Sequence, residues 1–281
     1  MKLIYTIQEA SEYSKSVKFE GKTIGLVPTM GALHEGHLSL IKASQIDNDY
    51  TIASIFVNPI QFNNAADLEK YPRTLEADLL LLEKAGCHAV FLPTDTIMYK
   101  EKPSLKIDFG DLERVMEGKF RPGHFSGVGI VVAKFFNIIL PDHAYFGQKD
   151  LQQFLVINRL VNDLSIPVKL HCCPIIREPD GLAMSSRNRR LSPQNRHKAA
   201  VIIQALNLGS ATIVLNQIEK AKNEVAALIA QHKELELEYF EIADGENLQE
   251  VTNVANHKKI ALCIAVYLDG VRLIDNMIIT L

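Results

Sequence analysis

The sequence predicts an α/β fold, with a mostly parallel sheet flanked by helices and a smaller C-terminal α+β unit. The first two-thirds of the chain alternate short apolar, β-branched runs with segments of helical spacing. Such alternation is typical of parallel strands joined by crossover helices, which cover both faces of the sheet. The last third instead contains two helical segments and one hairpin pattern. With 47% hydrophobic residues, the chain can bury a substantial core.

The strands of the first part are predicted where apolar runs end at turn residues. They cover residues 23–29, 50–57, 89–92, 144–146 and 168–176. The helices between them are predicted at residues 36–46, 73–85, 128–140 and 150–164. The second of these carries Leu75, Leu79 and Leu82 at helical spacing and stops before Gly86. Residues 94–126 form a polar excursion before the apolar helix.

The last third predicts a different, smaller unit. Residues 188–206 and 216–231 have helical patterns, and residues 237–242 have a strand pattern. Residues 260–268 and 271–279 read as a hairpin, because Asp269-Gly270 suits a type I′ turn. We therefore predict a nucleotide-binding catalytic domain over residues 1–180 and a lid domain over residues 181–281.

Composition and charge exclude several classes of function. A formal net charge of −3 over 281 residues gives no basic excess for nucleic acid. Residues 1–10 lack the basic and apolar regions of a secretory signal, and the longest apolar run, residues 128–140, is too short to span a bilayer. The four cysteines, which form no Cys-x-x-Cys pair, predict buried thiols in a reducing compartment. We expect a cytoplasmic protein without nucleic-acid or membrane partners.

Four polar segments marked by glycine or proline follow predicted strands. They are residues 28–37, 58–61, 147–150 and 177–187. Open parallel sheets bind ligands beyond the carboxyl ends of their strands. The sequence therefore predicts that all four segments meet in one crevice.

The first segment contains two histidines at the start of a helix. His34 and His37 are three residues apart, and Gly36 between them permits close approach of a ligand. A helix N-terminus attracts anions, and two imidazoles there can stabilise a transferring phosphoryl group. Structural histidines are one alternative. A zinc site is another, but the spacing differs from His-Glu-x-x-His and no third ligand is near in sequence.

Six sequence blocks together identify a family resemblance. They read PTMGALHEGH (28–37), FVNPIQF (56–62), YPRT (71–74), RPGHF (121–125), FGQKDLQQ (146–153) and DGLAMSSRN (180–188). The His-x-Gly-His motif resembles that of the nucleotidyltransferase superfamily, and the longer strings resemble the pantoate–β-alanine ligase family. The resemblance spans residues 28–188 and implies a Rossmann-like parallel sheet in the first domain.

The resemblance implies an ATP-dependent ligase that joins D-pantoate to β-alanine through a pantoyl-adenylate and releases AMP and pyrophosphate. The implied catalytic residues are His34, His37, Lys149, Ser185, Ser186 and Arg187, with His37 as proton donor. The implied ATP site comprises Met30, Gly31, Ala32, Leu33, His34, Glu35, Gly36, His37, Gly147, Gln148, Lys149, Asp150, Ile176, Met184, Ser185, Ser186 and Arg187. The implied substrate-binding residues are Asn58, Gln61 and Gln153. A homodimer is also implied.

Several assignments stay open at this point. ATP chemistry requires Mg²⁺, but Ala77 replaces one of the consecutive acids typical of the family, so we assign no protein ligand to the metal. Gln153 and the Lys149–Asp150 pair are also compatible with solvated helix surface, and Arg121 has no assigned role. Arg189, Arg190 and Arg196 are expected on a solvated helix face. The remaining histidines are expected to be structural or exposed: His88, His143, His171, His197, His232 and His257.

Two other functions compete with the ligase. One is a nucleotidyltransferase that adenylates a phosphate ester and has no amine acceptor. The other is a catalytically idle nucleotide-binding protein, which the presence of both histidines, Lys149 and the Ser185-Ser186-Arg187 string disfavours.

Overall fold

The computed structural model describes residues 1–281 and contains two sheets. The first has six parallel strands in the order β1-β4-β3-β2-β5-β6. Its strands are β1 (Lys2–Ile4), β2 (Ile24–Thr29), β3 (Tyr50–Ile55), β4 (Ala89–Phe91), β5 (His143–Gly147) and β6 (Lys169–Cys173). The second sheet is antiparallel, with strands β7 (Leu235–Asp244), β8 (Lys259–Leu268) and β9 (Val271–Thr280) in that order. The predicted fold class is confirmed.

Helices cover both faces of the parallel sheet because alternate strand residues point to opposite sides. Ile24 and Leu26 of β2 pack on one side, and Val27 packs on the other. The α-helices are α1 (Ile7–Phe19), α2 (Glu35–Asp47), α3 (Ala65–Glu69), α4 (Leu75–Lys84), α5 (Asp95–Met98), α6 (Met116–Phe120), α7 (His124–Ile139), α8 (Leu151–Asp163), α9 (Pro193–Arg196), α10 (Val201–Ile213) and α11 (Ile218–Ala230). The core on the first side joins the sheet to α1, α7 and α8, and the core on the other joins it to α2 and α4.

The C-terminal sheet uses the same alternation to join the two parts of the chain. Ile260, Leu262 and Ile264 of β8 lie in a core with α10 and α11. Ala261 and Cys263 face the other way and pack against residues of the first part, among them Leu155 of α8. Asp269 and Gly270 both have positive φ, +54° and +69°, as the predicted type I′ hairpin requires. The proposed domain boundary at residue 180 stays a prediction.

Two expected elements have different bounds in the structure, and several other elements were missed. Strand β1 and helix α1 were missed. The helix expected over 188–206 begins only at Val201, and residues 186–200 form short 3₁₀ and α turns instead. Strand β6 ends at Cys173 because Pro174 has no N–H for the ladder. Residues 94–126 contain α5, α6 and a 3₁₀ turn at Gly110–Glu113.

The cysteines were expected to be buried, and one is not. Cys87, Cys173 and Cys263 are buried, whereas Cys172 is exposed on the edge strand β6. Cys172 and Cys173 face opposite sides of the strand, as adjacent strand residues must. No helix in the structure combines the length and apolar composition that a membrane-spanning segment needs.

Candidate active site

A cleft lies beyond the carboxyl ends of β2, β3, β5 and β6, and all four predicted segments contribute to its wall. Met30, His34 and His37 follow β2, while Asn58 and Gln61 follow β3. Lys149 and Asp150 follow β5, and residues 174–176 and 184–187 follow β6. The parallel sheet brings these segments together because its strands all end at the same edge.

The turn between β2 and α2 is held by a buried carboxylate from another helix. Gly31 and Ala32 adopt left-handed conformations, with φ of +79° and +51°. Asp78 of α4, only 2% exposed, accepts hydrogen bonds from the backbone N–H groups of Ala32 (2.9 Å) and Leu33 (2.8 Å). Thr74 donates a third bond to Asp78 from its hydroxyl. This carboxylate therefore fixes the direction in which the chain enters α2.

The side chains of His34 and His37 both accept backbone hydrogen bonds at the N-terminus of α2. His34 is the N-cap residue, and its Nδ1 accepts a hydrogen bond from the N–H of Gly36 at 3.2 Å. The N–H of His34 in turn donates to Nδ1 of His37 at 3.3 Å. The two ring centroids are 4.1 Å apart. This reciprocal arrangement resembles a capping box with imidazoles in place of Ser and Glu.

The cap also sets the tautomer of both rings. Because each Nδ1 accepts a backbone hydrogen bond, the proton of each neutral ring is on Nε2. Burial lowers the pKa of His34 to about 4, with Lys149 as the second cause. Burial also lowers the pKa of His37 to about 3, helped by His34 and Lys149. Both rings are therefore neutral at pH 7 and present an Nε2–H donor.

The cleft wall also carries cations and hydroxyls. Ser185 caps a short 3₁₀ turn, accepting a hydrogen bond from the N–H of Arg187. Arg187 pairs with Asp67 of α3 at 3.0 Å, and Lys149 lies 3.7 Å from Asp150. The site thus holds donors suited to phosphate oxygens.

A pocket of amides and apolar side chains adjoins the histidines. Gln61 and Gln153 line it together with an apolar wall from α7, namely Val128, Val131, Val132 and Phe135. Asn58 donates to Oε1 of Gln61 at 2.9 Å and to the carbonyl of Gly127, and its Oδ1 accepts from Tyr99. Asn58 thus orients Gln61, and its own amide is already used.

Five residues predicted for the ATP site do not line the cleft. Gly31, Ala32 and Leu33 are buried beneath it, where they build the turn described above. Glu35 is exposed, and Gln148 is hydrogen-bonded to Asn276 of β9. The structure brings together the other predicted site residues: Met30, His34, Gly36, His37, Asn58, Gln61, Gly147, Lys149, Asp150, Gln153, Ile176, Met184, Ser185, Ser186 and Arg187.

The arginines after residue 187 were expected on a solvated helix face; Arg189 is exposed but lies with the partly buried Arg190 in a 3₁₀ segment. Arg190 bonds Asp67 at 3.1 Å, and Arg189 donates to the carbonyl of Leu33. Arg196 is partly buried and pairs with Asp180 at 2.7 Å. These arginines tie the 3₁₀ segment to its surroundings, which is why no regular helix forms there.

Arg121 has a structural environment that the sequence did not reveal. Its guanidinium lies 3.2 Å from Nε2 of His124 and 3.5 Å from the carboxylate of Glu117. His124 Nδ1 is 2.8 Å from the carbonyl of Gln61. Arg121 therefore supports the backbone that carries Gln61.

Other functional residues were also missed. Tyr71 meets Ser186 at 3.3 Å, and Arg177 makes a two-pronged ion pair with the buried Asp275 of β9. Tyr71 and Asp78 lie in or just after the YPRT block, which is the one sequence signal that pointed to them.

The acids near the cleft show how a magnesium ion fits. Asp78 is occupied by the turn and faces away from the cleft, so it is not a metal ligand in this arrangement. Asp150 is the only carboxylate on the cleft wall, and although it is the N-cap residue of α8 its side chain makes no cap hydrogen bond. A magnesium ion that binds chiefly to phosphate oxygens and water fits this wall, but a protein cage for the metal is absent.

Comparison with known proteins decides the family. The model of the pantoate–β-alanine ligase family matches residues 2–278. The chain belongs to the pantoate–β-alanine ligase family. A pantothenate synthetase from Cytophaga hutchinsonii is 48% identical over 280 residues, 99% of each chain. Another from Christiangramia forsetii is 51% identical over 265 residues, 94% of each chain.

Solved structures of pantoate–β-alanine ligases share the fold. A pantothenate synthetase from Thermus thermophilus superposes with a TM-score of 0.91 at 37% identity, covering 99% of both chains. A pantoate–β-alanine ligase from Francisella tularensis, in complex with β-γ ATP and β-alanine, gives a TM-score of 0.78 at 35% identity, covering 99% of this chain and 97% of that one. The predicted resemblance is confirmed, and the two competing functions lose their support.

Proposed function

We propose that this chain condenses D-pantoate with β-alanine, using ATP and passing through a pantoyl-adenylate. The observation that carries this proposal is the pair of neutral imidazoles, whose Nε2–H groups are the only free ring donors on a cleft wall that also holds Lys149 and Arg187. A carboxylate is a poor electrophile, and adenylation supplies the leaving group that an amine can displace.

In the first step, the pantoate carboxylate attacks the α-phosphorus and pyrophosphate leaves. Negative charge grows on the α-phosphoryl oxygens, where His34 and His37 donate hydrogen bonds from Nε2. A bound phosphate raises the pKa of each ring towards its ordinary value, because it is an adjacent negative charge. His37 can then deliver a proton to the departing oxygen. Lys149, Ser185, Ser186 and Arg187 hold the pyrophosphate.

The pocket beside the histidines suits pantoate. This substrate has a dimethyl carbon between two carbons that bear hydroxyl groups. The valines of α7 and Phe135 offer an apolar wall for the methyl groups, and the amides of Gln61 and Gln153 offer partners for the hydroxyls and carboxylate. In the second step, the β-alanine amine attacks the adenylate carbonyl on this side of the cleft and AMP leaves.

The remaining ATP contacts follow from the segments around the cleft. Met30, Gly36 and Gly147 line the nucleotide side, and Ile176 and Met184 close it. A Cβ on Gly36 would come within 2.9 Å of the His34 ring, so only glycine lets the ring keep its position. We assign Asp150, which lines the cleft, to a ribose hydroxyl. Mg²⁺ accompanies the triphosphate, whose charge it neutralises.

Two further assignments rest on the family and on the substrates. We expect a homodimer, which light scattering after gel filtration tests: a mass near 63 kDa supports it, whereas one near the chain's 31.4 kDa contradicts it. We also expect a cytoplasmic location, since ATP is available there.

The decisive experiment is pantoate-dependent exchange of labelled pyrophosphate into ATP without β-alanine. Wild-type protein should catalyse exchange, and His37→Ala should reduce it by about 10²–10³-fold, the range for losing one transition-state donor. His197→Ala changes an exposed ring outside the cleft and serves as the control. Exchange that does not depend on pantoate, or that survives in His37→Ala, contradicts the proposal.

A further inference from the structure

A second histidine cluster lies at the other end of the parallel sheet from the cleft. It consists of Asp47, the last residue of α2, His143, the first residue of β5, and His171 on the adjoining strand β6. One potential ligand atom from each residue lies within 4.8 Å of the other two. None of the three takes part in the chemistry described above.

The register of the sheet brings the cluster together. Tyr145 and His171 are paired across β5 and β6, and their rings stack with centroids 4.5 Å apart and planes 15° apart. His143 lies two residues before Tyr145 and so shares its face of the sheet, 4.9 Å from His171 between ring centroids. Helix α2 packs on this face, and Tyr145 donates a hydrogen bond to Oδ2 of Asp47 at 2.9 Å.

The cluster leaves polar atoms without partners. The side chain of His171 makes no hydrogen bond, and its buried Nε2 has no partner at all. Its Nδ1 lies 3.8 Å from Oδ2 of Asp47, which is too long for a hydrogen bond. The buried Oδ1 of neighbouring Asn48 is also unpaired. Neither ring nitrogen of His171 therefore has a hydrogen-bond partner in the protein, and its Nδ1, which faces Asp47, is available to a ligand.

We propose that Asp47, His143 and His171 bind a divalent cation of the zinc class. Two imidazole nitrogens and one carboxylate oxygen form a donor set that suits Zn²⁺, with water completing the tetrahedron. Ligands at about 2.1 Å from zinc are about 3.4 Å apart, so the 3.8 Å between His171 and Asp47 needs little contraction. The Asp47 side chain is 39% exposed, and its Oδ2 is the oxygen that accepts the hydrogen bond from Tyr145. The hydroxyl of Tyr145 orients the carboxylate from outside the metal's own ligands.

Such an ion clamps α2 to the sheet. The first turn of α2 carries His37, and Asp47 lies ten residues further along the same helix, about 15 Å away along its axis. The strands on the other side of the clamp lead into Lys149 and Ile176 of the cleft. The cation therefore stabilises the frame of the active site and takes no part in the reaction, and this inference does not depend on the proposed function.

The test is a titration of metal-free protein with Co²⁺ and Zn²⁺ alone. Wild-type protein should bind one equivalent, give the visible absorption of tetrahedral Co²⁺, and melt at a higher temperature with Zn²⁺. His143→Asn and His171→Asn should each weaken binding at least tenfold and lose the thermal shift, while the exposed control His197→Asn keeps both. Both cluster variants should retain wild-type pyrophosphate exchange in Mg²⁺ without added zinc or cobalt, which shows that they fold.

Three results overturn the inference. The first is a wild-type protein that binds neither metal at 100-fold excess over protein. The second is that the two cluster variants bind zinc as tightly as the control. The third is binding that survives in both cluster variants and disappears in His34→Asn, because the metal is then held by the paired histidines of the cleft.

Discussion

Replacing Asp78 tests whether one buried carboxylate builds the active-site turn. Asp78 lies on α4, 46 residues from Ala32 in sequence, and it accepts hydrogen bonds from two consecutive backbone N–H groups. Asp78→Ala deletes both acceptors in a place that water does not reach, since the residue is 2% exposed. The neighbouring Gly31 and Ala32 have positive φ, and within the turn the N–H of Gly31 donates to the hydroxyl of Thr29 at 3.2 Å, a bond that the substitution leaves in place.

The expected magnitude follows from the two orphaned donors. Each buried N–H left unpaired costs about 1–3 kcal/mol, which gives about 2–6 kcal/mol in total. Removing the carboxylate also removes its own desolvation cost, so we expect about 3 kcal/mol. Asp78→Asn keeps one acceptor oxygen and should cost about half as much. Pyrophosphate exchange should fall at least tenfold in Asp78→Ala because the turn positions His34.

The assay is urea unfolding of metal-free protein, with exchange measured in parallel. Glu76→Ala is the matched control, since Glu76 is an exposed acid on the same helix. A cost below about 0.5 kcal/mol for Asp78→Ala would refute the reasoning. If Asp78 were a magnesium ligand instead, the variant would keep its metal-free stability and require more Mg²⁺ for exchange.

Three other substitutions have definite expected outcomes. Burial raises the pKa of Glu117, but hydrogen bonds from Arg272 outweigh burial and lower it to about 2. The ionised carboxylate therefore adds about 3 kcal/mol to the free energy of unfolding above pH 4.5, and this stabilisation is lost as the pH falls towards 2. For Glu117→Gln, the free energy of unfolding should therefore fall less steeply with decreasing pH than for the wild type. Identical pH dependences contradict this. Asp275→Ala leaves the partly buried Arg177 without its partner and should lower the free energy of unfolding in urea by about 3–5 kcal/mol. The control Glu219→Ala, at an exposed position, should lower it by about 0.5 kcal/mol or less. Equal losses in the two variants contradict the ion-pair argument. Gln153→Glu places a negative charge beside the carboxylate of bound pantoate. It should raise the KM for pantoate about tenfold and leave the KM for ATP unchanged. An unchanged KM for pantoate would mean that this substrate binds elsewhere.

Much of the fold could be predicted because local pattern and global architecture agree in the parallel sheet. Helix α1 was missed although Thr6 and Glu9 form a capping box that is visible as Thr-x-x-Glu. Strand β1 has only three residues, too few for a pattern to emerge. The helix expected from residue 188 failed for a different reason. Ser192 bonds Asp269 and Arg190 bonds Asp67, and such distant contacts override a local helical preference.

The candidate site likewise contains residues that could be predicted from the sequence and residues that could not. Residues that carry the chemistry could be found because turns at strand ends concentrate them in recognisable strings. Residues that hold those strings in place could not be found from the sequence. Asp78 and Tyr71 contact residues 46 and 115 positions away, and Arg121 acts through His124 on the backbone carbonyl of Gln61. Sequence spacing carries no information about such contacts. Supporting residues are therefore found from the structure, even where the reacting ones are evident beforehand.

The paired histidines combine a structural and a chemical role, and one substitution can separate them. His34 uses Nδ1 to cap α2 and keeps Nε2–H for a ligand. Asparagine places an oxygen near the position of Nδ1 and is among the best N-cap residues, but it has no donor at the position of Nε2. His34→Asn should therefore keep wild-type stability within about 1 kcal/mol and lose pyrophosphate exchange by about 10²–10³-fold.

His34→Ala provides the comparison, because it loses the cap as well as the donor. It should cost about 1 kcal/mol more in urea unfolding than His34→Asn and be equally slow in exchange. If His34→Asn were stable and still fast, the Nε2–H of this ring would have no part in adenylation. The histidine would then be needed only for the helix cap, a role that asparagine fills at least as well. A chain that keeps histidine there is consistent with selection for the donor, and the two variants measure how much that donor contributes.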